Sequence, residues 1–156
     1  FRLRPLIKST LETHQLTLLA QRVHLELKVE DIELKADRAK LKLILDNLLS
    51  NALKCSPRGG TIYIHAHVEK QSLVLDIGDT GAGIPQDERA AIFEAFYSGK
   101  APQSGHLKGT GIGLSVVSEF VQAHGGSIEI VDGVFPGAHF RVRLPLMAST
   151  EAAEAA

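Results

Sequence analysis

Asn47, Asn51 and Lys54 recur at helical spacing within Leu41–Lys54. At about 100° of rotation per residue they fall within about 60° of one another, a single polar stripe. Leu41, Ile44, Leu45, Leu48 and Ala52 occupy the adjoining arc at the i, i+3, i+4 spacing of a core-facing helix. The stripe therefore runs beside the core, where two amides and an ammonium need partners because an unpaired buried polar group is costly. Amides that simply cap neighbouring groups would satisfy the same requirement. A second cluster, Asp79-Thr80-Gly81-Ala82-Gly83-Ile84-Pro85, sets a carboxylate beside flexible backbone. An ionised carboxylate only accepts hydrogen bonds, so it suits an exocyclic amine on a flat ring, and glycine lets backbone pass close to that ring. A plain strand-ending turn has the same composition. The third cluster, Lys108-Gly109-Thr110-Gly111-Ile112-Gly113-Leu114, opens a helix. Unpaired N–H groups and the positive end of the helix dipole make such a start an anion site, with Lys108, or Lys100 nearby, adding charge.

Elements able to position these clusters are legible in the pattern. A helix is expected over Pro5–Ala20, with Pro5 in its first position. Val23, Leu25, Leu27 and Val29 alternate with polar residues, which predicts a strand packed on one face. Asp37 is a good N-cap for the central helix, expected from Arg38 to about Cys55 and stopped by Ser56-Pro57-Arg58-Gly59-Gly60. Ile62, Ile64, Ala66 and Val68 alternate with Thr61, Tyr63, His65, His67 and Glu69; the latter row suits a solvated face. Glu69-Lys70-Gln71 is short enough to fold Ser72–Ile77 back as a hairpin. A loop over 79–85, a short helix from about Gln86 to Phe93 and a mobile segment over Glu94–Lys108 follow. A helix is then expected from near Gly111, carrying Leu114, Val117, Phe120 and Val121 to a glycine C-cap at Gly125-Gly126. Strands over Ser127–Val131 and His139–Leu144 close the domain. The pattern predicts a two-layer α+β sandwich: a mixed sheet of about five strands with three main helices on one face.

A net charge of −1 and scattered Lys and Arg argue against a nucleic-acid footprint or a direct membrane contact. The single Cys55 excludes an internal disulfide framework and fits a reducing compartment. The chain lacks a signal peptide and an apolar run long enough to span a bilayer. Its first residue is Phe1 rather than Met, so a piece of a longer protein is expected, with a domain over 1–147 and a disordered tail over 148–156. His65 and His67, two apart on a strand, would be a metal pair only with a third ligand. The P-loop pattern does not occur, and the second glycine cluster follows no βαβ strand.

Taken together, the clusters suit magnesium and a purine nucleoside triphosphate. Asn51 would give its carbonyl to the metal, an oxygen-seeking cation that shares the substrate's phosphates. Lys54 would reach a phosphate, Asn47 a phosphate or a metal-bound water, and Asp79 the base. Gly109–Gly113 would wrap the polyphosphate.

The motifs resemble those of a known family. Asn47-Leu-Leu-Ser-Asn51-Ala-Leu-Lys54, Asp79-Thr-Gly81-Ala-Gly83-Ile-Pro85, Ile92-Phe93-Glu94-Ala-Phe96 and Gly109-Thr-Gly111-Ile-Gly113-Leu114 look like the N box, first glycine box, F box and second glycine box. Those boxes belong to the catalytic, ATP-binding domain of bacterial sensor histidine kinases, and the likeness runs from Phe1 to Leu146. It implies the Bergerat ATP-binding fold shared with DNA gyrase, the large heat-shock chaperone and mismatch-repair ATPases. It also implies ATP and Mg as cofactors. The implied nucleotide contacts are Asn47, Asn51, Lys54, Cys55, Asp79, Gly81, Gly83, Ile84, Lys108, Gly109, Thr110, Gly111, Ile112, Gly113 and Leu114, with Asn51 on the metal. The implied activity is transfer of the γ-phosphoryl group to a histidine on a separate dimerisation domain, then to a response regulator's aspartate. The implied setting is the cytoplasm, with a parent that can be an inner-membrane sensor.

Three departures stand out. None of the seven histidines is followed by an acidic residue, the family's phosphoacceptor context, so autophosphorylation of this chain alone is not expected. Cys55 stands where the family often has an adenine-stacking aromatic; it is read as an ordinary buried cysteine. Ser98 and Gly99 follow Phe96-Tyr97 where the family often has a basic residue. Two other functions are weighed. A hydrolytic ATPase of this fold would place a Glu one turn before the metal-binding Asn, but that position is Asn47, and Asp46 points about 100° away. A nucleotide-binding regulatory module would not require every box to be intact.

Overall fold

The computed structural model describes residues 1–93 and 113–146. Its elements are α1 (Leu3–Thr13), α2 (Gln15–Ala20), β1 (His24–Val29), α3 (Arg38–Cys55), β2 (Thr61–Glu69), β3 (Ser72–Asp79), α4 (Gly113–Ala123), β4 (Ser127–Ile130) and β5 (His139–Pro145). The strands form one sheet in the order β1-β2-β3-β5-β4. β1 and β2 run parallel, and β2–β3, β3–β5 and β5–β4 are antiparallel pairs, so the sheet is mixed. The expected two-layer α+β sandwich is the observed architecture, with α3 as the crossover that a parallel β1–β2 pair requires.

α3 carries the core because its apolar positions repeat at the helical period. Leu41, Ile44, Leu45, Leu48, Leu49, Ala52 and Leu53 are buried, and they share one cluster with Ile62, Ile64, Leu75 and Ile77 of the sheet and Val117 and Val121 of α4. Each fully buried leucine is worth about 1.5–3 kcal/mol over an exposed one. The helix starts where Asp37 predicts: that carboxylate accepts the Lys40 N–H at 3.1 Å. It stops at Cys55, and Gly59 takes a positive φ of 78° in the following turn.

The first helix differs from expectation. It begins at Leu3, not Pro5, and breaks at His14, whose φ of −102° and ψ of 11° are not helical. Pro5 sits in the first turn, where its missing N–H leaves no bond unmade. Leu3, Leu6, Ile7 and Thr10 complete the buried stripe of α1, and His14 Nε2 lies 3.2 Å from Asp46 Oδ1 on α3. Beyond that break only Leu18 is buried, while Leu16 and Leu19 are 83% and 66% exposed. Among the described residues four α-helices thus stand in place of the three main ones expected, because the first is split in two. β1 also departs: Leu25 and Leu27 register against the buried Ile62 and Ile64, yet both are exposed. They lie on the sheet's edge strand, past the cover of the helices.

β4 ends at Ile130, β5 runs on to Pro145, and Asp79 is the last residue of β3 rather than part of a loop. The short helix expected over Gln86–Phe93 is two separate 3₁₀ turns, Gln86–Glu88 and Ala91–Phe93. The row Tyr63, His65, His67 is half-buried rather than solvated. The β4–β5 connection folds over it: Phe135 stacks on Tyr63 with ring centroids 4.4 Å apart and planes 8° apart. Gly78, paired with Tyr63, has no Cβ because that atom would collide with the Phe135 ring. The mobile segment expected over 94–108 and the tail over 148–156 lie outside the described residues.

The β2–β3 hairpin closes through Lys70 and Gln71, both with positive φ (51° and 64°), as a two-residue turn of the mirror-image kind requires. Neither residue suits that backbone, which costs a non-glycine residue roughly 1–2 kcal/mol. The double substitution Lys70→Asn/Gln71→Gly is expected to raise unfolding free energy by about 1 kcal/mol in a urea titration. An unchanged midpoint would contradict this reading of the turn.

Candidate functional site

Asn47, Asn51 and Lys54 are half-buried on α3, beside the buried Leu48 and Ala52. Asn47 donates one Nδ2–H to the Leu43 carbonyl at 2.8 Å, which leaves the amide's second N–H and its oxygen for other partners. Its Oδ1 then points at the start of α4: a Cβ added to Gly113 would lie 2.8 Å from it. Glycine at that position is what lets α4 begin against the polar stripe. Among the described residues, the Asn51 amide and the Lys54 ammonium have no hydrogen-bond or ion-pair partner. That is what a metal or phosphate ligand on this stripe needs: a carbonyl oxygen and a cation left unspent.

Asp79 closes the arrangement from the sheet. It is 2% exposed, and its Oδ1 accepts N–H groups from Gly81 at 2.8 Å and Ala138 at 3.2 Å. Its Oδ2 receives no hydrogen bond among the described residues. Burial pushes the Asp79 carboxyl above the ordinary carboxylate value, and the two backbone donors offset only part of that rise. Gly81 packs on the end of α3, where a Cβ would collide with the Cys55 carbonyl oxygen. Gly83 has a φ of 82°, which a side chain would strain. Ile84 is half-buried against the core.

The structure therefore sets Gly113 against Asn47 and Gly81 against Cys55, at the two ends of the stretch of α3 that carries Asn51 and Lys54, with Asp79 bonded to Gly81. Leu114 packs half-buried against the core one residue into α4. Lys108, Gly109, Thr110, Gly111 and Ile112 lie outside the described residues, as do Glu94 to Tyr97. The expectation of a buried cysteine is corrected. Cys55 is exposed because it is the last residue of α3, where the helix runs out past the sheet. Protein packed around its thiol and the neighbouring Asp79 carboxylate still push that thiol up to about 11, with Lys54 opposing. At neutral pH it is a weak nucleophile.

Sequence reasoning missed Gly137 and Ala138. A Cβ on Gly137 would meet the Gly81 N at 2.5 Å, and its own N–H donates to the Asp79 carbonyl at 2.8 Å. The Pro136-Gly137 pair was the available signal, but a backbone amide carries no residue type to read. His65 and His67 do not form a metal pair. Their Nε2 atoms face Glu26 and Glu69, and no group of three metal-ligating side chains occurs among the described residues.

A mixed five-stranded sheet backed by helices, with a carboxylate turn and a glycine-opened helix meeting one polar helix face, defines the ATP-binding sandwich class. Residues 36–148 match the family described as histidine kinase-, DNA gyrase B-, and HSP90-like ATPase, and the chain belongs to that family. It is 32% identical over 149 residues to the sensor histidine kinase GlrK of Escherichia coli (strain K12), covering 96% of this chain and 31% of GlrK. It is 41% identical over 100 residues to WalK of Bacillus subtilis (strain 168), covering 63% of this chain and 16% of WalK. The chain thus spans less than a third of these relatives. Among solved structures, the catalytic domain of the histidine kinase ThkA, in a nucleotide-free form, superposes with a TM-score of 0.83 at 26% identity, covering 94% of this chain and 93% of that one. Full-length ShkA in complex with AMPPNP gives 0.76 at 27% identity, covering 91% of this chain and 29% of that one. No helix among the described residues is long and apolar enough to cross a membrane.

The Asp79 burial has a testable sign. A carboxyl raised by folding stabilises the fold fully below its unfolded value, and that contribution is lost as pH rises through the folded one. Asp79→Asn keeps an oxygen for Gly81 and Ala138 and carries no charge. The variant is expected to gain on the parent as pH rises above about 4, the ordinary carboxylate value, read as the difference in urea midpoints. A difference that stays flat with pH would contradict it.

Proposed function

We propose that this chain binds Mg-ATP and donates its γ-phosphoryl group to a histidine on a separate dimerisation domain of a two-component sensor kinase. What supports the reading is that the α3 stretch with the unspent Asn51 and Lys54 is flanked by Gly113 at Asn47 and by the Asp79 turn at Cys55, with Asp79 Oδ2 left unbonded among the described residues. Asp79 Oδ2 accepts the exocyclic amine of adenine, and Gly81 and Gly83 give the ring room. Lys54 and the N–H groups opening α4 hold the phosphates. Asn51 offers its carbonyl oxygen to magnesium, which neutralises phosphate charge when bound. The protein's part in the transfer is positioning and charge stabilisation, with the acceptor supplied in trans. The phosphoryl group then passes to a response regulator through the parent. The ATP-binding unit is read as 1–147, within a cytoplasmic part of that parent.

Hydrolysis on the same fold is disfavoured by the groups next to the site. Asn47 is an amide, and an amide is no base. Asp46 is drawn to the α1 side, accepting Lys42 Nζ at 3.2 Å and facing His14 at 3.2 Å.

Two experiments test the proposal. Asn51→Ala is expected to lower ATP affinity about 30-fold or more with magnesium present, as loss of a ligand to a charged group costs 2 kcal/mol or more. Its affinity without magnesium should match the parent's; equal loss in both conditions would remove Asn51 from the metal. Mixing the chain with ATP and the parent's dimerisation domain should yield acid-labile, base-stable phosphate on a histidine. Free phosphate alone would favour the hydrolytic reading.

A further inference from the structure

Behind the first glycine turn lies a cavity of about 210 Å³, bounded by Gly83, Ile84, Arg89, Asp132, Phe135 and Gly137. Ala82–Ile84 is therefore not seated on packed side chains from that side. Among the described residues, the hydrogen bond that this stretch receives comes from Arg89 Nε, which donates to the Ile84 carbonyl at 3.2 Å. The rest of the same guanidinium reaches across the cavity mouth. Its two terminal nitrogens donate to the two Asp132 oxygens, both at 2.7 Å, a bidentate pair. Asp132 begins the connection from β4 to β5, and the hydrogen bond from Arg89 holds its carboxyl below the ordinary range. That connection is fixed further on by Phe135 against Tyr63, and it ends with Ala138 donating to Asp79 Oδ1. The glycine turn donates to the same oxygen through Gly81.

We infer that Arg89 and Asp132 are a positioning pair for base recognition: they tie together the two backbone segments whose N–H groups grip Asp79. This rests on the reading of Asp79 as the adenine acceptor. Neither side chain bonds the Asp79 carboxylate: Arg89 reaches the Ile84 carbonyl and Asp132. Their effect runs through the angle at which Gly81 and Ala138 hold the carboxylate, and so through where Oδ2 points. An adenine amine depends on that direction; a guanine, with an acceptor in the same place, gains nothing from it. The pair should therefore set preference between bases and leave phosphate binding alone.

The test measures affinity for ATP and for GTP by calorimetry in the chain as it stands, in Asp132→Asn, in Arg89→Gln and in Asp79→Asn. The side chain of Asp132 is 65% exposed, so its substitution does not endanger folding. Asp132→Asn and Arg89→Gln are expected to weaken ATP about threefold to tenfold while GTP stays constant. Asp132→Glu, which keeps the charge, should restore much of the ATP preference. Raising NaCl from about 0.05 to 0.5 M should shrink the ATP-to-GTP ratio in the parent more than in Asp132→Asn, because the pair is open to screening. Equal losses for both nucleotides, or none, would overturn the positioning role. Should Asp79→Asn leave the ratio unchanged, the adenine reading itself fails; a drop there with no drop in the other two defeats only the pair.

Discussion

A carboxylate buried at the end of the central strand is the constraint on which the rest of the molecule turns. Asp79 is placed inside by β3, the middle one of the five strands, and burial there penalises its charge. Two backbone N–H groups, from Gly81 and Ala138, meet one of its oxygens and bring together segments that lie 57 residues apart, from 81 to 138. Gly81 must be glycine to pass the end of α3, and Gly137 must be glycine to pass Asp79. The other oxygen receives no hydrogen bond among the described residues. A residue that is costly to bury and only half satisfied is poor structural material, and its presence at this point is intelligible as the acceptor of a ligand's hydrogen bond.

The face of the sheet away from the helices supports this arrangement through a second buried carboxylate. Asp76 Oδ1 accepts from His139 Nε2 at 2.7 Å and Arg141 Nε at 2.8 Å. Burial pushes Asp76 up, but those hydrogen bonds and the charges behind them outweigh it, and its carboxyl titrates below the ordinary value. The network ties β3 to β5 beside Asp79, and the ring of Phe135 lies 4.5 Å from that of His139. The two carboxylates thus illustrate opposite solutions. Asp76 is paired with a cation and serves the scaffold; Asp79 is held by backbone N–H groups alone, on one of its two oxygens.

The helical and strand periods made most of this fold legible. The bounds of α3, its Asp37 cap, the alternation of β2 and the hairpin to β3 follow from residue types whose preferences agree with their neighbours. Where reading failed, tertiary contacts had overruled local pattern. Leu16 and Leu19 look like core residues until His14 breaks the helix to reach Asp46. Tyr63 and His65 look solvated until Phe135 arrives from 70 residues away on the β4–β5 connection. Of the site, side chains with chemistry were visible at once, as were the glycines flanking them. The amide of Ala138 was invisible because its part is played by backbone, and Arg89 because it sits in a stretch that reads as an unremarkable helix start.

The proposed function requires that the α3 stripe, the Asp79 turn and the start of α4 all meet a single ATP. The most direct measurement is a nitrogen-15 NMR titration of the chain with Mg-AMPPNP. The backbone amides of Gly81, Gly113 and Ala138 and the side-chain amides of Asn47 and Asn51 should all shift along one saturation curve, while those of His65 and His67 on the opposite sheet face stay still. Shifts that divide into two unrelated curves, or that leave Gly81 and Asn51 unmoved, would contradict it.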